Sequence, residues 1–486
     1  MNTILLQPND VLFFRDGRPM NASLAGHGAA WPLPNVINAA FHAALHRAGL
    51  AGVHEHRQGA RGKYAENARR DRRFGSLLTA GPFPVSPAGC WYFLRPADLL
   101  DDTVNPALLP ENSTDWQGTS SLPKPLRYAA SRRPTPEDSM PTPGEGTRPT
   151  TAASGRPTPG EGTRPTTEAT KDATAKTWLS RDAFEAYLRG EHGFQMAARA
   201  FNDEDFCDVE QNIGIGIDPA TGIAGQGGAK SQFYTAHYLR LRHQWQLGVC
   251  AQAGDDDFGG DLVSTLFHGT GGCIIVGGQQ RTCTADCRTD CPLELPRGLN
   301  TGFHERGGKF LVKWVLLSPA VWPEIPSLSK DGRSMTPHPG GWLPNWINPD
   351  TGGIVLRHRT GRIWRDYSGT KARRVAETDV PIAAHLVAAI VPKPIVVTGY
   401  AAKDEGNEIA SERSGGAQST HLAVPAGAVY YFEAGTAEDA VKLANALNWH
   451  AAADGNEIKN RRSTLLGEKG FGLGVCGTWD FLAGGQ

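Results

Sequence analysis

Residues 131–176 cannot belong to a packed core, and this limits how the rest of the chain can fold. The tract is rich in Pro, Thr, Gly and Glu, and "PTPGEGTRPTT" occurs in it twice, at 141–151 and 157–167. It has too little apolar surface to offset the entropy of ordering it. It therefore reads as a disordered insertion, and the fold must be assembled from the stretches on either side.

Outside the insertion, hydrophobic periodicity divides the chain into two similar halves. In the first, 4–6 is a short strand and 35–48 a helix, with Ile37, Phe41 and Leu45 on one face. Strands follow at 91–94, 234–241 and 245–251, a helix at 262–267, and a strand at 273–276 that ends in a double glycine. In the second, strands are predicted at 310–317, 382–390, 395–399 and 428–432. A helix over 437–449 has Thr436 as N-cap and Asp439 at the capping-box position. Each half reads approximately β-α-β-β-α-β. The expected fold class is therefore α+β, with two ferredoxin-like, RRM-like domains carrying large insertions. The N-terminal domain spans 1–130 and 177–300, and the C-terminal one 301–486. RNA-recognition domains of this shape bind RNA on the open face of the sheet.

The chain has 486 residues and a formal net charge of −1, so it is no general polycation. Its cations cluster instead, with eight Lys/Arg against three acids over 47–73 and seven against one over 357–374. Such clusters are either solvated surface or sites for a local anionic partner. No apolar run reaches the roughly 18 residues of a membrane span, and no signal-peptide pattern is visible at the start. A cytoplasmic protein without a membrane partner is expected. Eight cysteines in a chain of this length do not make a disulfide scaffold.

Gly472 to Gly477 spells G-x-G-x-x-G. A dinucleotide fingerprint needs a helix, a second strand and an acid about 20 residues further on. The nine residues after Gly477 cannot supply them. No Gly-Lys-Ser/Thr follows for a P-loop. What remains is a glycine-rich entry to a last strand over 473–481, where absent side chains let another backbone come close.

Several blocks together carry a resemblance. "LFFRDGRPM" (12–20), "GIGIDPATGIAGQGGAKSQFYTAHYLRL" (214–241), "VLLSPAVW" (315–322), "VPKPIVVTGY" (391–400), "VPAGAVYYFEA" (424–434) and the closing "GEKGFGLGV" occur in order. The chain resembles the RAMP superfamily and, within it, the third-subunit family of the type III-B CRISPR (Cmr) effector complex. The chain departs from that family's first helix, with Asn35 for Ser/Thr, Ala39 for Gly and His42 for Arg. The resemblance implies a non-catalytic subunit that caps the crRNA. It would hold the repeat-derived 5′ handle and dock on the large polymerase/cyclase subunit and a RAMP backbone subunit. Target RNA would then be met only indirectly, through guide pairing.

Candidate RNA-binding residues follow. Arg15 and Arg18 flank an Asp16-Gly17 turn and serve either as a surface salt-bridge turn or as RNA contacts. Asn35, Asn38, His42 and His46 share one helix face, which is either solvated or a hydrogen-bonding stripe for phosphate, 2′-OH or bases. In the closing loop, Lys469 supplies charge, and Gly470, Gly472 and Gly474 open backbone amides to phosphate. Phe471 either stacks on a base or sits in the core, and Arg461 and Arg462 extend the patch. Gly277, Gly278 and Arg281 repeat the theme and match the family's Gly-Gly-x-x-Arg block. Cys283, Cys287 and Cys291 have C-x3-C-x3-C spacing, which fits neither common zinc nor iron–sulfur patterns. Free loop thiols are expected, with no metal and no cofactor. The acidic turn at 253–261 suggests polymerase chemistry, but the first strands lack the partner carboxylate that two metals require. Two further readings stay open. One is a metal-independent crRNA-processing endoribonuclease using His27, His42 or His46; the other is a protein scaffold that touches RNA little.

Overall fold

The computed structural model describes residues 1–14, 31–50, 77–99, 178–191, 200–215, 233–255, 260–267, 272–289, 291–327, 336–359, 379–398, 420–451 and 457–480. Residues 25–26, 221, 223, 364–366, 373–375, 400–401 and 416–417 are described besides. The insertion at 131–176, the Arg15–Arg18 turn and His27 lie outside the described residues.

The first sheet is built from β1 (Asn2–Pro8), β2 (Leu77–Val85), β3 (Gln246–Asp255), β4 (Cys273–Ile275) and β5 (Thr282–Arg288). Its strands run β3-β1-β5-β4, with β2 and a short sixth strand, Gly260–Asp261, both pairing with β3, and every pairing is antiparallel. Helices α1 (Pro34–Arg47) and α2 (Leu262–Phe267) lie on one side of it. The α1 stripe forms as its spacing predicts. Ile37, Phe41 and Leu45 are fully buried among Ile4, Leu6 and Val249, each burial contributing about 1.5–3 kcal/mol.

The second sheet holds β6 (Lys309–Leu316), β7 (Ala384–Ile390), β8 (Val429–Ala434) and β9 (Gly474–Thr478), in the order β9-β6-β8-β7, again antiparallel. Helix α3 (Ala437–Leu447) covers its outer face. Thr436 caps α3, its Oγ1 accepting from the Asp439 amide at 3.0 Å.

The second half departs from the expected helix pattern in one place. Among the described residues between β6 and β7 there is no helix. That stretch carries "WPEIP", "HPGGWLPNW" and "NPDTGG", and each proline removes an amide donor that a helix would need. Trp322, Leu343, Trp346 and Ile347 pack against the sheet instead, with Trp346 stacked at 6.1 Å on Phe432.

Alternation along the strands sends Leu5, Ala80, Phe83 and Cys250 of the first sheet toward Val315, Tyr431 and Val475 of the second. All are buried in one shared core. Neither sheet therefore offers the open face of an RNA-recognition domain.

A polar cluster interrupts this shared core. Asp98 is fully buried and accepts hydrogen bonds from Tyr187 Oη (2.6 and 2.8 Å) and Tyr431 Oη (2.7 Å). Lys313, on β6, is 2% exposed, and its Nζ donates to the Tyr187 carbonyl at 3.3 Å. That Nζ also lies 3.4 Å from the centre of the Tyr187 ring. Among the described residues no helix is long and apolar enough to cross a membrane.

Candidate functional site

Helix α1 begins with Pro34, whose missing amide costs nothing at a helix start. Its N-cap, Leu33, offers no side-chain cap, and the first turn holds no acid. The polar stripe of α1 splits into two parts. Asn38 is buried and donates to Thr79 Oγ1 at 3.2 Å. Asn35 Nδ2 reaches the Thr398 carbonyl at 3.4 Å, while its buried Oδ1 has no hydrogen-bond partner among the described residues. His42 is half-buried and His46 exposed, their rings edge-on at 5.5 Å. Only the histidine end of the stripe faces outward.

The glycine-rich loop closes on the same threonine. At Gly470, φ is +89°, and a Cβ there would lie 2.7 Å from the Thr79 carbonyl oxygen. At Gly472, φ is +77°, and a Cβ would lie 2.1 Å from the Ser463 amide. No other residue tolerates both that backbone and that proximity. Gly470 thus admits the main chain of the first half at the foot of α1, and Gly472 that of Ser463 just before the loop. Gly474 opens β9. Phe471 is fully buried beside Val321, Val397 and Ala423, a core position and not a stacking surface. Lys469 is half-buried, and its side chain has no hydrogen bond or ion pair among the described residues.

The two arginines before the loop behave differently. Arg462 Nε donates to the Ala446 carbonyl at 2.6 Å, and its Nη2 to Asn460 Oδ1 at 3.1 Å. It caps the C-terminal end of α3, where carbonyls lack partners and a cation is favoured, so its guanidinium is already engaged. Arg461 turns inward. Its Nε and Nη2 are buried without partners, and burial pushes its pKa down to about 10, against the smaller opposing pull of Cys250 and Glu468.

A second group forms at the turn after β4. Val276 N donates to the Arg281 carbonyl at 2.9 Å, and Gly278 N to the Phe13 carbonyl at 2.9 Å. The Arg281 guanidinium lies 5.1 Å over the Tyr238 ring and pairs with Asp10 at 3.3 Å. Gly277, Gly278 and Arg281 therefore hold the chain segment that leads into Arg15.

The cysteines are not loop thiols as a set. Cys283 and Cys287 lie on β5, facing the helix side of the sheet, and only Cys291 follows the strand. Burial pushes Cys283 up to about 12 and Cys287 up to about 11, which keeps both protonated. Among the described residues, no group of three or more His, Cys, Asp or Glu side chains is placed to hold a metal. In the acidic turn, Asp261 Oδ1 accepts from the Ala253 (2.9 Å) and Val263 (3.0 Å) amides, so this carboxylate anchors the start of α2.

The sequence reading passed over an apolar cleft of about 240 Å³ beside the α1 N-terminus. Trp31, Leu33, Phe83 and Trp178 line it together with Leu317 and Ile395 of the second half. The run Trp31-Pro32-Leu33-Pro34 was its one visible signal.

The family described as CRISPR-associated protein (Cas_Cmr3) matches the chain over residues 4–479. No curated protein matches. Among solved structures, the chain is similar to a chain of the type III-B Cmr-beta complex bound to cognate target RNA and AMPPnP. Identity there is 12%, the TM-score 0.34, and 88% of this chain and 86% of that chain are covered. It is also similar to a chain of the Csm3-Csm4 subcomplex of the type III-A interference complex, at 9% identity and TM-score 0.34, covering 88% and 92%. For the Csm1-Csm4 cassette with cA3 the values are 12%, 0.24, and 67% and 78%.

Proposed function

The chain belongs to the Cas_Cmr3 family of CRISPR-associated proteins, and on that premise we propose that it is a non-catalytic crRNA-binding subunit of a type III-B interference complex. It holds the repeat-derived 5′ handle of the guide and docks the large polymerase/cyclase subunit and a RAMP backbone subunit, in the cytoplasm. Its two sheets read as variants of the ferredoxin-like unit, the second with its first helix replaced by packed tryptophans.

One observation carries the RNA-binding reading. The glycine-rich loop, with the unpaired Lys469, closes beside the uncapped start of α1, a place where amides and a cation favour phosphate. Arg15, Asp16, Gly17 and Arg18, which lie outside the described residues, join this reading from the sequence alone.

The test is binding of repeat-derived handle RNA to the full-length chain across a salt series, with EDTA present. Wild type binds without cutting, and Lys469→Ala lowers the slope of log K against log[salt] by about 1. A discrete cut that disappears in His42→Ala would make the chain a processing nuclease instead. Affinity indifferent to Lys469 and to salt would make it a protein scaffold.

A further inference from the structure

An arginine with a buried, partnerless guanidinium is a costly arrangement, and Arg461 is one. Its Nε and Nη2 are shielded from solvent, and neither donates to any group among the described residues. The residue as a whole is only partly buried, so the recessed cation lies near the surface. Arg462, next in sequence, spends its donors on the end of α3. Arg281 pairs with Asp10. Arg461 has neither kind of partner, although Glu468 lies close enough on the same loop to act on it electrostatically. A water molecule could accept its hydrogen bonds, but water cannot neutralise the charge. Such a group in a folded protein calls for an explanation, and an ion supplied from outside the chain is one.

The surroundings indicate what that is. Arg461 stands at the base of the glycine loop, its Cβ 3.7 Å from where a Cβ on Gly467 would be. The loop contributes the unpaired Lys469, and α1 adjoins it with no acid in its first turn. A planar fork with free N–H groups in such a setting matches the oxygens of a phosphate.

We propose that Arg461 is the recessed anchor for one phosphate group of the bound RNA, inserted at the base of the glycine loop. The proposal rests on the RNA-binding reading above and deepens it. Lys469 meets the backbone at the rim, and Arg461 takes a single phosphate inside. The site takes either a terminal monoester or an internucleotide diester. In the RNA-free protein the cation has no hydrogen-bonding or ion-pair partner among the described residues, so binding and folding stability are coupled through this residue.

The full-length chain is compared with Arg461→Met, which keeps the bulk without the charge, and with Arg461→Lys. Handle RNA is offered with a 5′-phosphate and with a 5′-hydroxyl, and inorganic phosphate serves as a separate probe in thermal unfolding. Arg461→Met is expected to weaken RNA binding roughly tenfold or more, the loss of a charged hydrogen-bonding partner, and to lower the salt slope by about 1. Its melting temperature without RNA stays equal or rises, and Arg461→Lys recovers part of the slope. A loss confined to 5′-phosphorylated RNA assigns the terminal group; a loss with both RNAs assigns a diester. Wild-type RNA binding with affinity and slope unchanged in Arg461→Met overturns the proposal and leaves the function standing. If wild type binds neither RNA, the function fails. The anion site is then decided by phosphate alone, which must stabilise wild type and not Arg461→Met. An Arg461→Met chain that does not fold also overturns it, because the guanidinium would then have a structural partner.

Discussion

Lys313 makes a measurable demand on the fold. Its ammonium lies in the shared core between the sheets, with the Tyr187 carbonyl and ring as its contacts. Burial lowers its pKa from 10.5 to about 8, opposed by the Asp98 carboxylate. A base whose folded pKa lies below its unfolded value is protonated less readily in the folded state. Between pH 8 and 10.5 the unfolded chain therefore binds more protons, and stability rises with pH across that window. At about 1.4 kcal/mol per pH unit, the fall from 10.5 to about 8 is worth about 3 kcal/mol. Lys313→Met keeps the volume and deletes the titration. Urea unfolding of both proteins at pH 7.5, 8.5, 9.5 and 10.5 isolates this group, because every other titration is common to the pair. The wild type is expected to gain about 3 kcal/mol relative to the variant across the series. The variant is expected to be the more stable of the two at pH 7.5. Parallel stability curves would refute the reasoning, since they would mean that the ammonium is as well solvated folded as unfolded.

Two further predictions concern the loop. Gly470→Ala forces a left-handed backbone on alanine and a contact with the Thr79 carbonyl; it should cost at least about 2 kcal/mol in denaturant unfolding and weaken handle-RNA binding with it. Arg462→Met removes the cap on α3 and should cost about 1–2 kcal/mol, yet leave the salt slope of RNA binding unchanged, unlike the change at Arg461.

What the sequence revealed and what it hid divide along physical lines. Helices α1 and α3 were legible because an apolar stripe and a capping threonine are local signals. Strand β2 was not. Its Pro82 and Pro84 argue against a strand, but Pro82 falls where the β2–β3 register is interrupted, between Ala80 and Phe83, and needs no ladder amide there. Strand β5 reads as polar, because its small inward residues, Cys283 and Ala285, carry little hydrophobic signal. Candidate site residues were recognisable by type but not by direction. Periodicity puts Asn35 and Asn38 on a face with His42; it does not say that Thr79 and Thr398 cover half of that face. Likewise Arg461 and Arg462 are indistinguishable in sequence, and only the folded chain turns one onto a helix end and the other inward.

The meeting at Thr79 joins segments from far-apart stretches of the chain, β2 near the start and the glycine loop near residue 470. Contacts of such high sequence separation form late, after the intervening chain has been synthesised and gathered in. A nascent polypeptide emerging from the ribosome has α1 and β2 long before it has the loop that closes on them. The contact between the glycine loop and Thr79 thus arrives together with completion of the second sheet, and a truncated product would have the helix without the clasp.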